Sequence, residues 1–295
     1  MSESTVDVAP PGAPINTPPV SSRSRTGRGR AGRIGLRLLT LAVLIAIWWF
    51  IAWLEIVRPL FLPSPGAVWD SFVLANTNHP VSPGVDRIVK GEQNYYMWEH
   101  LLASLQRIGA GLLAAIIVGV PAGLVMATVR PISVVVEPYL NFLRSLPPLA
   151  YIGLLIAWFG FGDASKIWLL FFAAFPPITM ATISGVRGVR EDQINAALCL
   201  GASRQQVLRV VMVPATLPEI FTGIRVAVGF TWTCVVAAEI TNGIPGIGGL
   251  AYLSGTELNS SLAISCIVVI GITAVVLDLG LKWLELWLVP WRGKA

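Results

Sequence analysis

The chain alternates long apolar runs with short polar segments. Five uncharged runs reach or approach the roughly 20 residues that a helix needs to cross the hydrocarbon core of a bilayer. They are Leu38–Leu54, Ile108–Val129, Ser145–Gly162, Ile167–Val186 and Leu258–Leu277. A sixth run, Ile220–Thr241, is long enough to span if the charges of Arg225 and Glu239 lie near the two interfaces. The pattern predicts an all-α polytopic membrane protein with six transmembrane helices.

The basic residues predict how these spans are oriented. Residues 1–33 are rich in Pro and Ser and then in Arg, a composition typical of a disordered tail, which leaves 34–295 as the transmembrane domain. Positively charged segments next to a span stay in the cytoplasm, so we expect a cytoplasmic N-terminus, and six spans return the C-terminus to the same side. The first apolar run is too long for a signal peptide and lacks a small-residue cleavage site.

The composition supports a membrane protein and excludes several kinds of site. Of 295 residues, 55% are hydrophobic and only 13% are charged, and the mean hydropathy is +0.71. The net charge of +5 follows from the topology and gives no argument for nucleic acid binding. The three cysteines lack the spacing of a zinc site or a disulfide framework. The sequence also contains no H-E-x-x-H, no G-x-S-x-G and no phosphate-binding loop. We therefore expect no catalytic residue, no metal and no cofactor bound by this chain.

Charged residues and helix-breaking prolines inside the spans are the candidates for a substrate path. A charge at membrane depth is costly and usually has a partner or a task, and a proline kink is tolerated where neighbours or water satisfy the freed backbone. Arg144 follows Glu137 by seven positions, which would place the two residues on one helix face. For each charge a structural ion pair or an interfacial anchor is the alternative. The candidates are Arg107, Glu137, Arg144, Pro147, Pro148 and Glu239.

The segment that follows Glu239 is too rich in glycine for a continuous helix. Its sequence, "TNGIPGIGGLAYLSGTELNSS", contains a stretch that is too short to cross the bilayer. We expect an outer loop with a short or re-entrant helix, which could form part of a gate.

A polar segment at about 189–216 predicts a helix–turn–helix elbow on the cytoplasmic side. The stretch "EDQINAALCL" favours about three turns of helix, and Gly201 suits the left-handed position that ends one. Ser203 with Gln206 has the spacing of a capping box for a second short helix through Met212. Val213-Pro214 would end that helix, and Thr216 with Glu219 would cap the fifth span. An ordinary loop packed on itself is the alternative.

The elbow resembles the cytoplasmic signature of the permease subunits of binding-protein-dependent ABC importers. That signature reads E-A-A, three residues, G, nine residues, I-x-L-P. This chain has Asn195-Ala196-Ala197, Gly201 and Val211–Pro214 at the same spacing, with Asn for the leading Glu and Val for Ile and Leu. Over about Leu60–Arg292 the chain is most similar to the nitrate, taurine and alkanesulfonate branch, the taurine permeases above all. Segments such as "FLPSPGAVW" and "LVPWRG" carry this similarity.

The resemblance implies a type I ABC importer permease fold in the bacterial inner membrane. Such a permease is a homodimer that works with two cytoplasmic ATPases, which bind ATP and Mg, and with an extracytoplasmic substrate-binding protein. The elbow would be the coupling helix that enters a groove on the ATPase. The residues implied in coupling are Asn195, Ala196, Ala197, Gly201, Ala202, Ser203, Arg204 and Pro214.

The substrate stays open at this point. Taurine or another alkanesulfonate is expected first, while relatives with similar signatures carry nitrate, bicarbonate or a pyrimidine precursor. A secondary transporter driven by an ion gradient would show inverted repeats and an intramembrane carboxylate relay. The two halves of the chain show no convincing repeat. A membrane enzyme would need a nucleophile, base or metal constellation, which the sequence lacks.

Overall fold

A computed structural model describes residues 28–80 and 88–291. Its long helices are α1 (Arg28–Trp53), α3 (Met97–Thr128), α4 (Arg130–Ser145), α6 (Asp163–Arg187), α9 (Val213–Asn242) and α11 (Ser260–Leu288). Shorter helices are α2 (Pro65–Leu74), α5 (Ile152–Phe159), α7 (Glu191–Cys199), α8 (Arg204–Gln206) and α10 (Ile247–Thr256). A 3₁₀ turn, Pro148–Tyr151, precedes α5, and a π-helical turn, Val207–Met212, joins α8 to α9. Strands β1 (Asn78–Pro80) and β2 (Ile88–Lys90) form an antiparallel pair.

The chain divides into two units, residues 1–48 and 49–295. Most of α1 belongs to the first unit. Of the predicted tail, residues 1–27 lie outside the described part, and α1 begins at Arg28, ahead of the expected boundary at residue 33. All candidate site residues lie in the second unit.

Within the described residues, five helical segments are long and apolar enough to cross a membrane, and a bent pair of helices makes a sixth crossing if it is counted as one span. The third span predicted at Ser145–Gly162 corresponds to the second part of this pair. It is broken at the prolines, as expected, and α4 and the segment Pro148–Phe159 lie at 94° to each other. Leu146 and Pro147, which connect the two helical parts, both adopt extended backbone angles. Each of them precedes a proline, and a residue before proline is disfavoured in the α region.

The core of the second unit is α6, which packs against α3 on one side and α9 on the other. The small-xxx-small pair Gly119 and Gly123 of α3 faces α6, as its spacing predicts. A Cβ added at Gly123 would lie 2.6 Å from the Cβ of Thr182, and one at Gly119 would lie 3.0 Å from Thr179 Oγ1. The two helix backbones therefore approach more closely than any side chain at Gly123 would allow.

The predicted short helix after Glu239 is α10. It packs against α9, α11 and α3, and Ile247 and Leu250 are buried in the main hydrophobic cluster. α10 is therefore part of the packed bundle rather than a peripheral loop.

Candidate functional site

The elbow has the turn that its sequence predicts. α7 ends at Cys199, and Gly201 follows with φ +84°, the left-handed region that favours glycine. Ser203 then caps α8. Its Oγ accepts from the Gln206 backbone N–H, and its own N–H donates to Gln206 Oε1 at 2.7 Å. Both halves of the capping box are present, so the elbow is braced by bonds within a few residues.

The end of the second elbow helix was predicted wrongly. The helix does not stop at Val213-Pro214 but continues from Arg204 to Thr241 as one helical segment. In the π turn the Val213 N–H donates to the Leu208 carbonyl, five residues back, so the bonding pattern shifts just where Pro214 has no N–H to give. The predicted Thr216–Glu219 capping box is absent as well, because Thr216 Oγ1 donates to the Met212 carbonyl inside the helix.

The elbow exposes an apolar surface that the sequence reasoning missed. Leu200 is 89% exposed, Val210 is 72% exposed and Leu198 is 44% exposed. The predicted coupling residues Asn195, Ala196, Ser203 and Arg204 are exposed too. The leucines in this otherwise polar segment were the sequence signal that could have predicted the surface, since exposed apolar side chains often mark a protein interface.

Arg107 and Glu239, two candidates for the substrate path, form a buried ion pair. Arg107 Nη1 donates to Glu239 Oε1 at 2.6 Å, and the two side chains are 5% and 0% exposed. Arg107 also donates to Asp163 Oδ1 at 2.8 Å and to the Pro245 carbonyl at 2.8 Å. Of the two alternatives for these charges, the structure therefore favours the structural ion pair.

The Glu239 carboxylate also caps the start of α10. Its Oε2 accepts from the Gly248 N–H at 2.9 Å. Ser104 Oγ donates to Glu239 Oε1 and accepts from the Ile247 N–H, while His100 Nδ1 accepts from the Gly246 N–H. α3 thus supplies partners for the first amide groups of α10, which fixes that helix against the bundle.

Sequence reasoning missed Ser104, His100, Asp163 and Lys166 as members of this polar cluster. Lys166 Nζ lies 3.7 Å from Asp163 Oδ1. These residues come from α3 and α6, and the signal that could have identified them is a set of unlike charges at the same predicted end of neighbouring spans. A second pair, which the sequence did not predict, joins Arg225 to Asp278 at 2.9 Å.

Glu137 and Arg144 share α4 but do not pair with each other. Glu137 accepts from Ser133 and from Arg187 of α6. Arg144 is exposed, and its guanidinium has no hydrogen bond or ion pair among the described residues. Pro147 and Pro148 form the break between α4 and α5. The structure therefore separates the candidates into paired charges and one unpaired cation.

Arg144 lines a cavity of about 570 Å³ between α4, α6 and α9. Ligand cavities commonly have volumes in this range. Arg144 is the only charged residue among the described residues that line it. The lining consists of Leu143, Arg144, Leu146, Pro148, Phe172, Ala173, Pro176, Pro177, Met180, Ala181, Ser184, Thr222, Gly223, Val226 and Phe230.

Comparison with known proteins places the chain in a family. Residues 110–294 match the binding-protein-dependent transport system inner membrane component family. The chain belongs to this family. It is 38% identical to the taurine transport system permease protein TauC of Escherichia coli, over 89% of this chain and 92% of that protein. The resemblance to ABC importer permeases is therefore confirmed.

Other relatives extend this family membership. The chain is 30% identical to the putative aliphatic sulfonates transport permease protein SsuC of Bacillus subtilis, over 92% of each chain. It is 34% identical to the bicarbonate transport system permease protein CmpB of Synechococcus elongatus, over 64% of this chain and 68% of that protein. An inward-facing structure of the MetNI methionine ABC transporter matches with a TM-score of 0.59 at 18% identity, covering 67% of this chain and 98% of that one. This structural match confirms the predicted permease fold.

Proposed function

We propose that this protein is the translocating subunit of an ATP-driven importer for taurine or another alkanesulfonate. The observation that carries the proposal is the 38% identity to a taurine permease over 89% of the chain. An aliphatic sulfonate permease of similar length supports the same substrate class. The protein would reside in the cytoplasmic membrane of a bacterium, with both termini in the cytoplasm.

The partners follow from the family and from the elbow. A cytoplasmic ATPase dimer would bind ATP and Mg and dock on Asn195–Arg204, where Leu200 stands exposed next to the rigid turn at Gly201. A second copy of the permease and an extracytoplasmic substrate-binding protein would complete the importer. This chain would act by changing shape and not by chemistry.

A different small anion is the second candidate. The relationship to a bicarbonate permease favours it, and nitrate or a pyrimidine precursor would fit the same branch. An ion-coupled secondary transporter fits less well, because the most deeply buried carboxylate, Glu239, is neutralised by Arg107 and is bonded to backbone amides rather than facing a path.

Uptake measurements distinguish these candidates. The permease, its ATPase and its binding protein would be expressed in a bacterial strain that lacks sulfonate uptake, and labelled taurine, ethanesulfonate, nitrate and bicarbonate would be compared. We expect uptake of the sulfonates that disappears when the ATPase carries an inactive nucleotide site. Uptake of nitrate or bicarbonate alone would replace the sulfonate proposal, and uptake that persists without ATP hydrolysis would exclude an ABC importer.

A further inference from the structure

Two adjacent prolines leave a backbone carbonyl without a helical donor in the middle of α6. Pro176 and Pro177 lie inside Asp163–Arg187. A helical carbonyl normally accepts from the N–H four residues on, or three residues on in a tighter turn. For Ala173 these donors would be residues 177 and 176, and neither proline has an N–H. The Ala173 carbonyl oxygen therefore has an unused hydrogen-bond capacity.

The residue that carries this carbonyl lines the same cavity as Arg144. Ala173, Pro176 and Pro177 all contribute to the cavity wall. Within a membrane, a backbone group freed by proline is tolerated only where protein or a polar cavity satisfies it. No described side chain donates to the Ala173 carbonyl, and a molecule held in the cavity is a candidate donor.

At Arg144 the same cavity offers hydrogen-bond donors and a positive charge, where Ala173 offers an acceptor. The Arg144 guanidinium is a cation and has no ion-pair partner among the residues that the structure describes. Most of the other lining residues are apolar, Leu146, Phe172 and Phe230 among them, and Ser184 and Thr222 add two hydroxyl-bearing residues. The cavity wall thus combines a cation, apolar side chains and a residue whose carbonyl has no helical donor.

We propose that this cavity is a binding site for a zwitterionic aminosulfonate, in which Arg144 binds the sulfonate and the Ala173 carbonyl accepts from the ammonium. The inference rests on the proposed function, since it assumes that sulfonates pass through this protein. It goes further because it makes the ammonium group a recognised part of the substrate. A simple alkanesulfonate satisfies Arg144 but leaves the carbonyl unpaired, and an unpaired buried polar group is costly.

Equilibrium binding to the purified permease–ATPase complex, without the binding protein, tests the site directly. Labelled taurine and labelled ethanesulfonate would be measured separately, and ethylammonium would be a competitor. The decisive variant is Pro177→Ala, which restores an N–H that can bond the Ala173 carbonyl. The matched control is Pro121→Ala, which alters a proline inside α3 that lines a different, apolar cavity.

We expect Pro177→Ala to weaken taurine binding roughly tenfold, the effect of one hydrogen bond to a charged group, and to leave ethanesulfonate binding unchanged. Arg144→Gln should weaken both ligands, Arg144→Lys should retain most of both, and Pro121→Ala should change neither. Each variant must still co-purify with the ATPase, which shows that it is folded.

Three results would overturn the inference: taurine that does not bind the wild-type complex, equal effects of Pro177→Ala on the two sulfonates, or Arg144→Gln that binds both normally. ATP-driven uptake by the complete system is measured in parallel. Normal taurine uptake together with any of these results refutes the aminosulfonate site alone. Failure to take up any sulfonate refutes the proposed function itself.

Discussion

The guanidinium of Arg107 lies 2.6 Å from the carboxylate of Glu239, and both side chains are buried. The two residues are 132 positions apart in sequence. Through this pair α3 holds the end of α9, while the same carboxylate caps α10. The Glu239 carboxylate therefore connects three helices, and removal of Arg107 should destabilise the packing of all three.

The first prediction concerns the stability of this pair. Arg107→Gln should destabilise the protein by about 3–5 kcal/mol, because an uncompensated carboxylate remains buried. Arg190→Gln is the matched control, since Arg190 and its partner Asp192 are both largely exposed, and we expect about 1 kcal/mol or less. Thermal unfolding in detergent measures both. The double variant Arg107→Gln/Glu239→Gln should recover part of the loss. Equal melting temperatures for the two single variants would contradict the prediction.

The second prediction concerns the turn of the elbow. Gly201 has φ +84°, and nothing lies within 4 Å of the position where a Cβ would be. The obstacle to a side chain is therefore backbone strain of about 1–2 kcal/mol and not a clash. Gly201→Val should insert into the membrane but transport poorly, whereas Gly201→Asn should retain more transport because asparagine tolerates this region. Gly255→Ala, at an equally open position without positive φ, should behave as wild type, and full transport by Gly201→Val would refute the prediction.

The third prediction uses the cysteines already in the chain. Cys199 is exposed at the end of α7, while Cys234 and Cys266 are buried. A membrane-impermeant thiol reagent should therefore label Cys199 in inside-out vesicles, and more slowly once the ATPase is bound. Cys199→Ser supplies the background. Identical labelling rates with and without the ATPase would mean that the elbow does not dock there.

The fourth prediction concerns orientation in the membrane. Reporter fusions after Val57 and after Gly162 should be extracytoplasmic, and those after Arg130, Arg204 and Ala295 cytoplasmic, because basic segments stay inside. Alkaline phosphatase activity reports the first group and green fluorescence the second. An extracytoplasmic signal after Arg204 would exclude the coupling role of the elbow.

The fifth prediction concerns the contact of α3 with α6. A Cβ at Gly123 would lie 2.6 Å from Thr182 Cβ, whereas one at Gly109 would meet nothing within 4 Å. Gly123→Ala should therefore lower the melting temperature in detergent, since overpacking commonly costs about 1–3 kcal/mol. Gly109→Ala, in the same helix, should be neutral or slightly stabilising. The reverse order of melting temperatures would show that the two helices pack differently.

The parts of the elbow that the sequence predicted correctly depend on local bonds. The capping box joins Ser203 to Gln206, three positions along the chain, and the left-handed turn depends on Gly201 alone. Both features can therefore be predicted from a short stretch of sequence. The prediction that the helix ends at Pro214 was wrong, because a π turn precedes this proline. The π turn moves the bonding pattern, and the helix then needs no N–H from the proline.

The contacts that the sequence did not predict are tertiary. Sequence indicated that Arg107 and Glu239 needed partners, but not that they were partners of each other, because helix order along the chain does not fix which helix faces which. The break at Pro147-Pro148 was visible as a proline pair. Its 94° angle depends on how α4 and α5 pack against α6, which no residue pattern within either helix specifies.

The uninterrupted helix from Arg204 to Thr241 also has a mechanical consequence. With 38 residues at about 1.5 Å per residue, this helical segment is about 57 Å long. One end meets the turn at Gly201, and Glu239 near the other end is held by Arg107. Since no loop interrupts this segment, a displacement of the elbow would be carried along the helix toward Glu239. The helix α10, which is capped by the same carboxylate, would then be displaced together with the end of α9.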